Sequence, residues 1–312
     1  MKILFTGASS FTGYWFVRAL ADAGHEVVCP LRSAPGRYDG VRKQRVEKLQ
    51  SCCRLVPDTA FGTEAFFDLV CGGGWWDLLC HHATEATNYR NPDFDIQRAL
   101  QNNTLNLRAI LGALKADGLK GVVLTGSVFE NDEGAGEEPL RALSGYGLSK
   151  GLTWQVFRHY CGEAHVPLGK FVIPNPFGPF EELRFTAYLM RSWKEGKSAG
   201  VRTPDYVRDN IHVDLLAAAY AKFAGQVMEA RAAVSKINPS GYIESQGEFA
   251  QRVAREVRQR LGWECKLELA RQEDFSEPLR RVNTDPAAAL FPGWNESAAW
   301  DAFVEFYSPK QP

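Results

Sequence analysis

The stretch Lys2-Ile3-Leu4-Phe5-Thr6-Gly7-Ala8-Ser9-Ser10-Phe11-Thr12-Gly13 decides the fold class. A short, mostly apolar run that suits a strand buried on both faces leads directly into a glycine-containing turn and then into a helical segment. Strand, turn and helix in that order open a βαβ unit. The glycines permit a tight turn and close backbone approach to a pyrophosphate, whose charge is met by free N–H groups at the helix N-terminus. Gly7, Ser9, Ser10, Phe11, Thr12 and Gly13 are therefore candidate contacts to a dinucleotide cofactor. Ser10 stands where a middle glycine is usual, which leaves a side chain near the phosphates to donate a hydrogen bond or to crowd them.

Outward from that turn, short β-like runs alternate with helical stretches as far as Ile173. Strands are expected at Lys2–Phe5, Glu26–Cys29, Arg54–Val56, Asp77–Cys80, Gly121–Thr125 and Leu168–Ile173, and helices at Thr12–Ala23, Thr63–Val70, Ile96–Ala116 and Leu148–Glu163. The fold class that follows is α/β, a Rossmann doubly wound parallel sheet with a smaller C-terminal substrate lobe. Beyond Ile173 the regularity weakens and Pro/Gly punctuation rises. Residues 1–175 are read as the cofactor domain, with 205–237 returning to it through a strand at Val234–Ile237, and residues 176–204 and 238–312 as the second lobe. Asp214 is expected to cap an Ala-rich helix reaching about Phe223.

The chain has 312 residues, 45% of them hydrophobic, enough for one large α/β unit and a smaller lobe without metals or staples. Its 36 basic and 37 acidic residues give a net charge of -1, so no global field favours nucleic acid or a membrane surface. No apolar run approaches a membrane span, and the stretch after Met1 is too short for a signal peptide, which predicts a cytoplasmic protein. Seven cysteines without a Cys-x-x-Cys pair argue against a disulfide framework or zinc ribbon. His81 and His82 are consecutive strand residues that point to opposite faces, so no metal site is expected. The basic cluster from Arg32 to Lys48 is interrupted by Asp39 and Glu47 and reads mostly as a solvated helix face.

At the end of the second strand, Leu31 occupies the position where an acidic residue usually meets the adenosine ribose of NAD, and Arg32 follows it. A guanidinium there suits a 2′-phosphate, so NADP is predicted in preference to NAD. Asp58, just past the third strand, is a further candidate cofactor contact. Among ten tyrosines, Tyr146 alone has a lysine four residues later, Lys150, and the pair opens a helix after Ser144-Gly145. Residues so spaced share a helical face, where an ammonium lowers the pKa of a phenol toward useful acid/base chemistry. The strand end Thr125-Gly126-Ser127 supplies hydroxyls that could polarise a substrate carbonyl or carbinol.

With these residues in view, the sequence resembles the extended short-chain dehydrogenase/reductase family, specifically its nucleotide-sugar epimerase/dehydratase group. The likeness rests on Thr6 to Gly13, His82-Ala83, Asn103, Thr125 to Phe129, Tyr146 to Lys150, Asn175 to Pro179 and Arg208 to Asp214. It implies that Tyr146 is the acid/base, that Lys150 binds the nicotinamide ribose and tunes Tyr146, and that Thr125 or Ser127 supplies the third hydroxyl, alignment favouring Thr125. It also implies cofactor contacts at His82 and Ala83, a helix asparagine at Asn103 that helps position Lys150, and diphosphate contacts at Asn175, Arg208 and Arg280 or Arg281. Relatives often dimerise through helices corresponding to Ile96–Ala116 and Leu148–Glu163, which implies a homodimer.

The reaction class implied is hydride transfer at a ring carbon of a nucleotide-diphosphate sugar, with reduction of a keto-sugar slightly ahead of redox-neutral 4-epimerisation. The alternatives are a small-carbonyl reductase and a non-catalytic NAD(P)-binding sensor or scaffold. The 4,6-dehydratases of the family resemble one another in carrying Thr-Asp-Glu where this chain has Thr125-Gly126-Ser127, so elimination of water is not expected. Glu130, Asp132 and Glu133 are nearby carboxylates, and they are expected to be solvated.

Overall fold

In a computed structural model describing residues 1–229, 232–273 and 275–308, the apolar runs of the first half become the strands of one sheet. The chain runs β1 (Lys2–Thr6), α1 (Phe11–Asp22), β2 (Glu26–Pro30), α2 (Gly40–Leu49), β3 (Arg54–Val56), α3 (Glu64–Gly72) and β4 (Leu78–His81). It continues through α4 (Ile96–Thr104), α5 (Leu107–Ala116), β5 (Gly121–Ser127), the two-residue β6 (Ala135–Gly136), α6 (Gly145–Glu163) and β7 (Leu168–Ile173). Then follow β8 (Asn175–Phe177), α7 (Phe185–Lys194), β9 (Ala199–Val201), β10 (Val207–His212), α8 (Val213–Glu229), β11 (Val234–Ile237) and, after further short strands, α9 (Gln246–Leu261).

The seven-stranded sheet has the order β11-β7-β5-β4-β1-β2-β3, and every pairing in it is parallel. The order reverses between β1 and β4, which opens a crevice beyond their carboxyl ends. Helices cover both faces. Phe16 of α1 and Tyr220 of α8 stack at 4.1 Å over Phe171 on one face, while Phe66, Leu111 and Phe157 fill the other. A separate aromatic core of Phe177, Phe249, Trp300 and Phe303 holds the C-terminal lobe together.

Several expected boundaries move for identifiable reasons. The helix expected over Ile96–Ala116 is two helices, because Asn106 takes a left-handed φ of 53° and its side-chain amide donates to Gly62 O at 2.8 Å. Asp214 does not cap α8. It lies in the first turn, where its backbone N–H donates to His212 Nδ1 and its carboxylate accepts from Trp294. In the region expected to be irregular, α9 begins with a full capping box of Ser245 and Glu248.

Glu130 and Glu133, expected in solvent, are buried, and only Asp132 is exposed. Lys170 on β7, with 2% of its side chain exposed, draws both inward: its Nζ lies 2.6 Å from a carboxylate oxygen of each. Glu133 also accepts from Lys236 and Asn238 at 3.2 Å. A lone ammonium inside a sheet would be prohibitive to bury, and two carboxylates without it equally so. Replacing Lys170 with Met should therefore cost about 3–5 kcal/mol at neutral pH, because buried Glu130 loses its ion-pair partner and Glu133 keeps only Lys236. The deficit should shrink as acid protonates Glu130, whose carboxyl burial holds above its ordinary value. Urea unfolding at neutral and mildly acidic pH measures this, and a loss below about 1 kcal/mol would show that the pair is not held by Lys170.

Candidate active site

A cavity of ≈ 1170 Å³ fills the crevice at the carboxyl ends of the strands. At one end it is lined by the glycine turn and by Arg32, Ser33, Tyr38 and Arg42; at its centre by His82, Thr125, Ser127, Tyr146 and Lys150; at the far end by Asn175, Arg184, Phe249 and Glu277. The turn is closed against β4. Gly7 has φ +84°, and a Cβ there would lie 2.7 Å from the backbone nitrogen of Ala83, while a Cβ on Gly13 would strike the carbonyl of Gly7. Neither position admits a side chain, and the backbone so cleared is what a dinucleotide pyrophosphate needs.

Ser10 neither crowds the cavity nor replaces the missing glycine. Its hydroxyl donates to Gly7 O at 2.9 Å and accepts from Gly13 N–H at 3.1 Å, which caps α1. Ser9, Phe11, Thr12, His82, Ala83 and Asn103 all line the cavity, as does Arg32, whose side chain is 67% exposed and reaches within 4.0 Å of Glu85. Asp58, expected at the cofactor, lies outside the lining. Its φ of 50° and its acceptance from Ala34 N–H make it a clamp on the loop after β2.

Strand β5 runs two residues beyond its expected end, to Ser127, because Gly126 and Ser127 still pair with Val172 and Ile173. Alternation then turns Thr125 and Ser127 to one face and Gly126 to the other. A Cβ at Gly126 would meet Lys170 Cε at 2.8 Å and Glu130 Oε1 at 3.1 Å, so the buried ion pair occupies the space an aspartate would need. Glu130 also accepts from Ser127 N–H at 2.7 Å and so fixes the turn below the hydroxyls.

Helix α6 starts at Gly145, earlier than Leu148, because the Ser144 hydroxyl accepts from Gly147 N–H. Tyr146 and Lys150 thus sit in its first two turns, with the ammonium 6.0 Å from the phenol ring centre. Against the lowering expected from Lys150, burial, with the Glu130 carboxylate adding to it, raises the Tyr146 phenol above its ordinary value. Burial lowers Lys150 to about 8, opposed by Glu130 and assisted by Lys170. The side-chain hydrogen bonds of Asn103 go elsewhere than Lys150. Asn103 accepts from Glu85 N–H and donates to Thr153, which holds α4 against α6 just past the lysine.

At the far end, the residues expected at a diphosphate separate into two kinds. Asn175 lines the cavity and donates to Asp209 O. Arg208, expected at the diphosphate, is buried just outside the lining, where it pairs with Glu277 of the lining at 2.8 Å and donates to the carbonyls of Val207 and Pro278. Arg281 is a correction: fully buried and off the cavity, it donates to the carbonyls of Val128 and Glu130 and braces the turn after β5, while Arg280 is exposed. Arg45, assigned by its cluster to a solvated face, is another. It is fully buried and joins Ser9 O at 3.0 Å to Phe180 O at 2.7 Å and to the Glu182 carboxylate. Its neighbours Val46 and Leu49, buried on the same helix, were the available signal. Among the described residues, no three His, Cys, Asp or Glu side chains gather as a metal site, and no helix is long and apolar enough to cross a membrane.

This geometry can exchange a proton with an oxygen of a bound ligand, since a phenol, an ammonium and hydroxyls converge on one cavity. It also carries a stability cost. Lys150 releases its proton near pH 8 in the folded chain against an ordinary 10.5, so between those values the unfolded chain binds a proton that the folded one does not, and stability rises with pH. Replacing Lys150 with Met should raise stability at pH 7 by roughly 3 kcal/mol and abolish that rise. Denaturant midpoints across pH 7 to about 10 test this, and a destabilised variant would contradict it.

The model of the NAD dependent epimerase/dehydratase family matches residues 3–236. Among curated proteins, no sequence matches the chain. Solved structures share the fold at low identity. The UDP-glucuronic acid 4-epimerase of Bacillus cereus, in complex with UDP-glucuronic acid and NAD, is 19% identical over 98% of this chain and 99% of its own, with a TM-score of 0.73. The UDP-glucose-4-epimerase of Stenotrophomonas maltophila, with bound NAD and formylated UDP-arabinopyranose, is 16% identical over 98% of each chain, with a TM-score of 0.76. The dTDP-glucose 4,6-dehydratase of Streptomyces venezuelae, with NAD bound, is 17% identical over 98% of this chain and 97% of its own, with a TM-score of 0.73. Matched over most of its length, this chain belongs to the NAD dependent epimerase/dehydratase family.

Proposed function

We propose that this protein moves hydride at a ring carbon of a nucleotide-diphosphate sugar, with Tyr146 as acid/base, Lys150 on the nicotinamide ribose and Thr125 on the reacting oxygen. One observation carries the reading: a single cavity runs from the glycine turn, past Thr125, Tyr146 and Lys150, to Asn175 and Glu277, the carboxylate that pairs with Arg208 behind the lining. The nicotinamide, when bound, supplies or accepts the hydride. Tyr146 transfers the proton, and Lys150 stabilises its phenolate. Ligands in structures of the same fold, UDP-glucuronic acid and UDP-glucose among them, support the substrate class. Arg208 can serve a diphosphate by exchanging Glu277 for phosphate oxygens, an exchange its guanidinium fork suits. Leu148 and Leu152, 38% and 37% exposed on α6, support pairing of two copies through that helix.

Redox-neutral 4-epimerisation is the leading outcome, since two of the similar structures are 4-epimerases with NAD. Elimination of water is not part of the proposal, because Gly126 and Ser127 offer no carboxyl group. Incubation with UDP-glucose and UDP-glucuronic acid should yield an isomer of unchanged mass with no net cofactor consumption. Loss of a water mass would overturn this. Replacing Tyr146 with Phe should cut that turnover by at least ~10²-fold while cofactor still binds; turnover within a few-fold would remove Tyr146 from the reaction.

Reduction of a keto-sugar by NADPH is the second reading, favoured by Arg32, Ser33 and Arg42 at the cavity end next to Leu31. It expects NADPH to bind more tightly than NADH, and Arg32→Ala to erase most of the difference. Equal affinities in the parent protein, by titration at fixed salt, would end it.

A further inference from the structure

His82 stands directly behind the hydroxyl assigned to the reacting oxygen. Its Nδ1 lies 2.9 Å from Thr125 Oγ1, and its Nε2 lies 3.0 Å from Ser10 Oγ and 3.1 Å from Thr12 Oγ1. One imidazole therefore spans the gap between the end of β5 and the glycine turn, with its ring packed between Phe5 and Phe16 at centroid distances of 5.8 and 5.3 Å. With three hydroxyls around the two ring nitrogens, the hydrogen-bond directions are decidable by counting protons.

Ser10 has one hydroxyl proton, and it goes to Gly7 O; its oxygen accepts from Gly13 N–H. Toward His82 it can then only accept, so Nε2 carries the ring proton. Nδ1 is left with a lone pair, and the hydroxyl of Thr125 must donate to it. This is the assignment in which each of these contacts has one donor and one acceptor. Burial, with Lys150 adding to it, lowers His82 to about 3, so the ring is neutral and the count stands at physiological pH.

We infer that His82 is a positioning residue that fixes Thr125 as a hydrogen-bond acceptor toward the cavity and ties that orientation to the phosphate turn. The chemistry follows from the proton count. With its own proton committed to His82, Thr125 offers the ligand lone pairs, which a carbinol O–H can use and a ketone oxygen cannot. The resting site thus selects the alcohol form of its substrate and leaves Tyr146 as the proton donor available to a ketone. This rests on the hydride-transfer reading above, but the tautomer does not.

The test uses the whole protein labelled with ¹⁵N-histidine, with His82→Asn identifying the His82 signals. Long-range ¹H–¹⁵N spectra should show Nδ1 unprotonated and Nε2 protonated at neutral pH. The opposite tautomer or an imidazolium would overturn the inference, and this arm needs no substrate. In the second arm, turnover of UDP-glucose and UDP-glucuronic acid with NAD is followed in His82→Leu and His82→Asn. His82→Leu should lose about tenfold in kcat/KM at saturating NAD, the scale of one oriented hydrogen bond. His82→Asn, whose side-chain oxygen can accept where Nδ1 did, should recover most of that loss. Equal loss in both variants, or none in His82→Leu, would overturn the positioning role. If neither sugar is turned over by the parent protein, the substrate class fails, while the spectra still decide the tautomer.

Discussion

The backbone of Gly7 lies against that of Ala83 so closely that no side chain fits between them. This approach brings the end of β1 and the segment after β4 together at the strand-order reversal. Thr6 reinforces it by accepting from the backbone N–H groups of both His82 and Ala83. From that junction the rest of the cavity follows. His82 is delivered to Ser10 on one side and to Thr125 on the other, and the parallel pairing of β4 with β5 sets how far Thr125 stands from the turn. A bulkier residue at position 7 would open the junction and lose every one of these distances together.

The cofactor half was legible because its signals are local. Lys2–Thr6 and Leu168–Ile173 are short apolar runs with turn residues beside them, and Gly7 and Gly13 carry a spacing with a mechanical meaning. Tyr146 and Lys150 were legible for the same reason, since four residues on a helix is a contact. What could not be read depends on partners far away in sequence. Glu130 and Glu133 look like loop carboxylates until Lys170 arrives from β7. Arg281 looks like a surface cation until the carbonyls of Val128 and Glu130 claim it. In each case a charged side chain is buried by a counterpart more than thirty residues distant, and periodicity is blind to that.

The break at Asn106 has the same origin, because a left-handed residue held by Gly62 O cannot be inferred from the apolar spacing that runs through it. The second lobe is a different case. Ser245, Glu248 and Gly262 carry ordinary start and stop signals for α9, and they are obscured only by the irregular segments around them. The lobe's aromatic core, by contrast, gathers Phe177, Phe249, Trp300 and Phe303 from three distant parts of the chain.

Arg45 gives the molecule a property that neither half has alone. One rigid guanidinium holds a carbonyl of the phosphate turn at Ser9 and, with its remaining nitrogens, the Phe180–Glu182 segment that leads into the C-terminal lobe. Loss of that one side chain would free the turn and the segment from each other at once and leave the Glu182 carboxylate without the cation it pairs with.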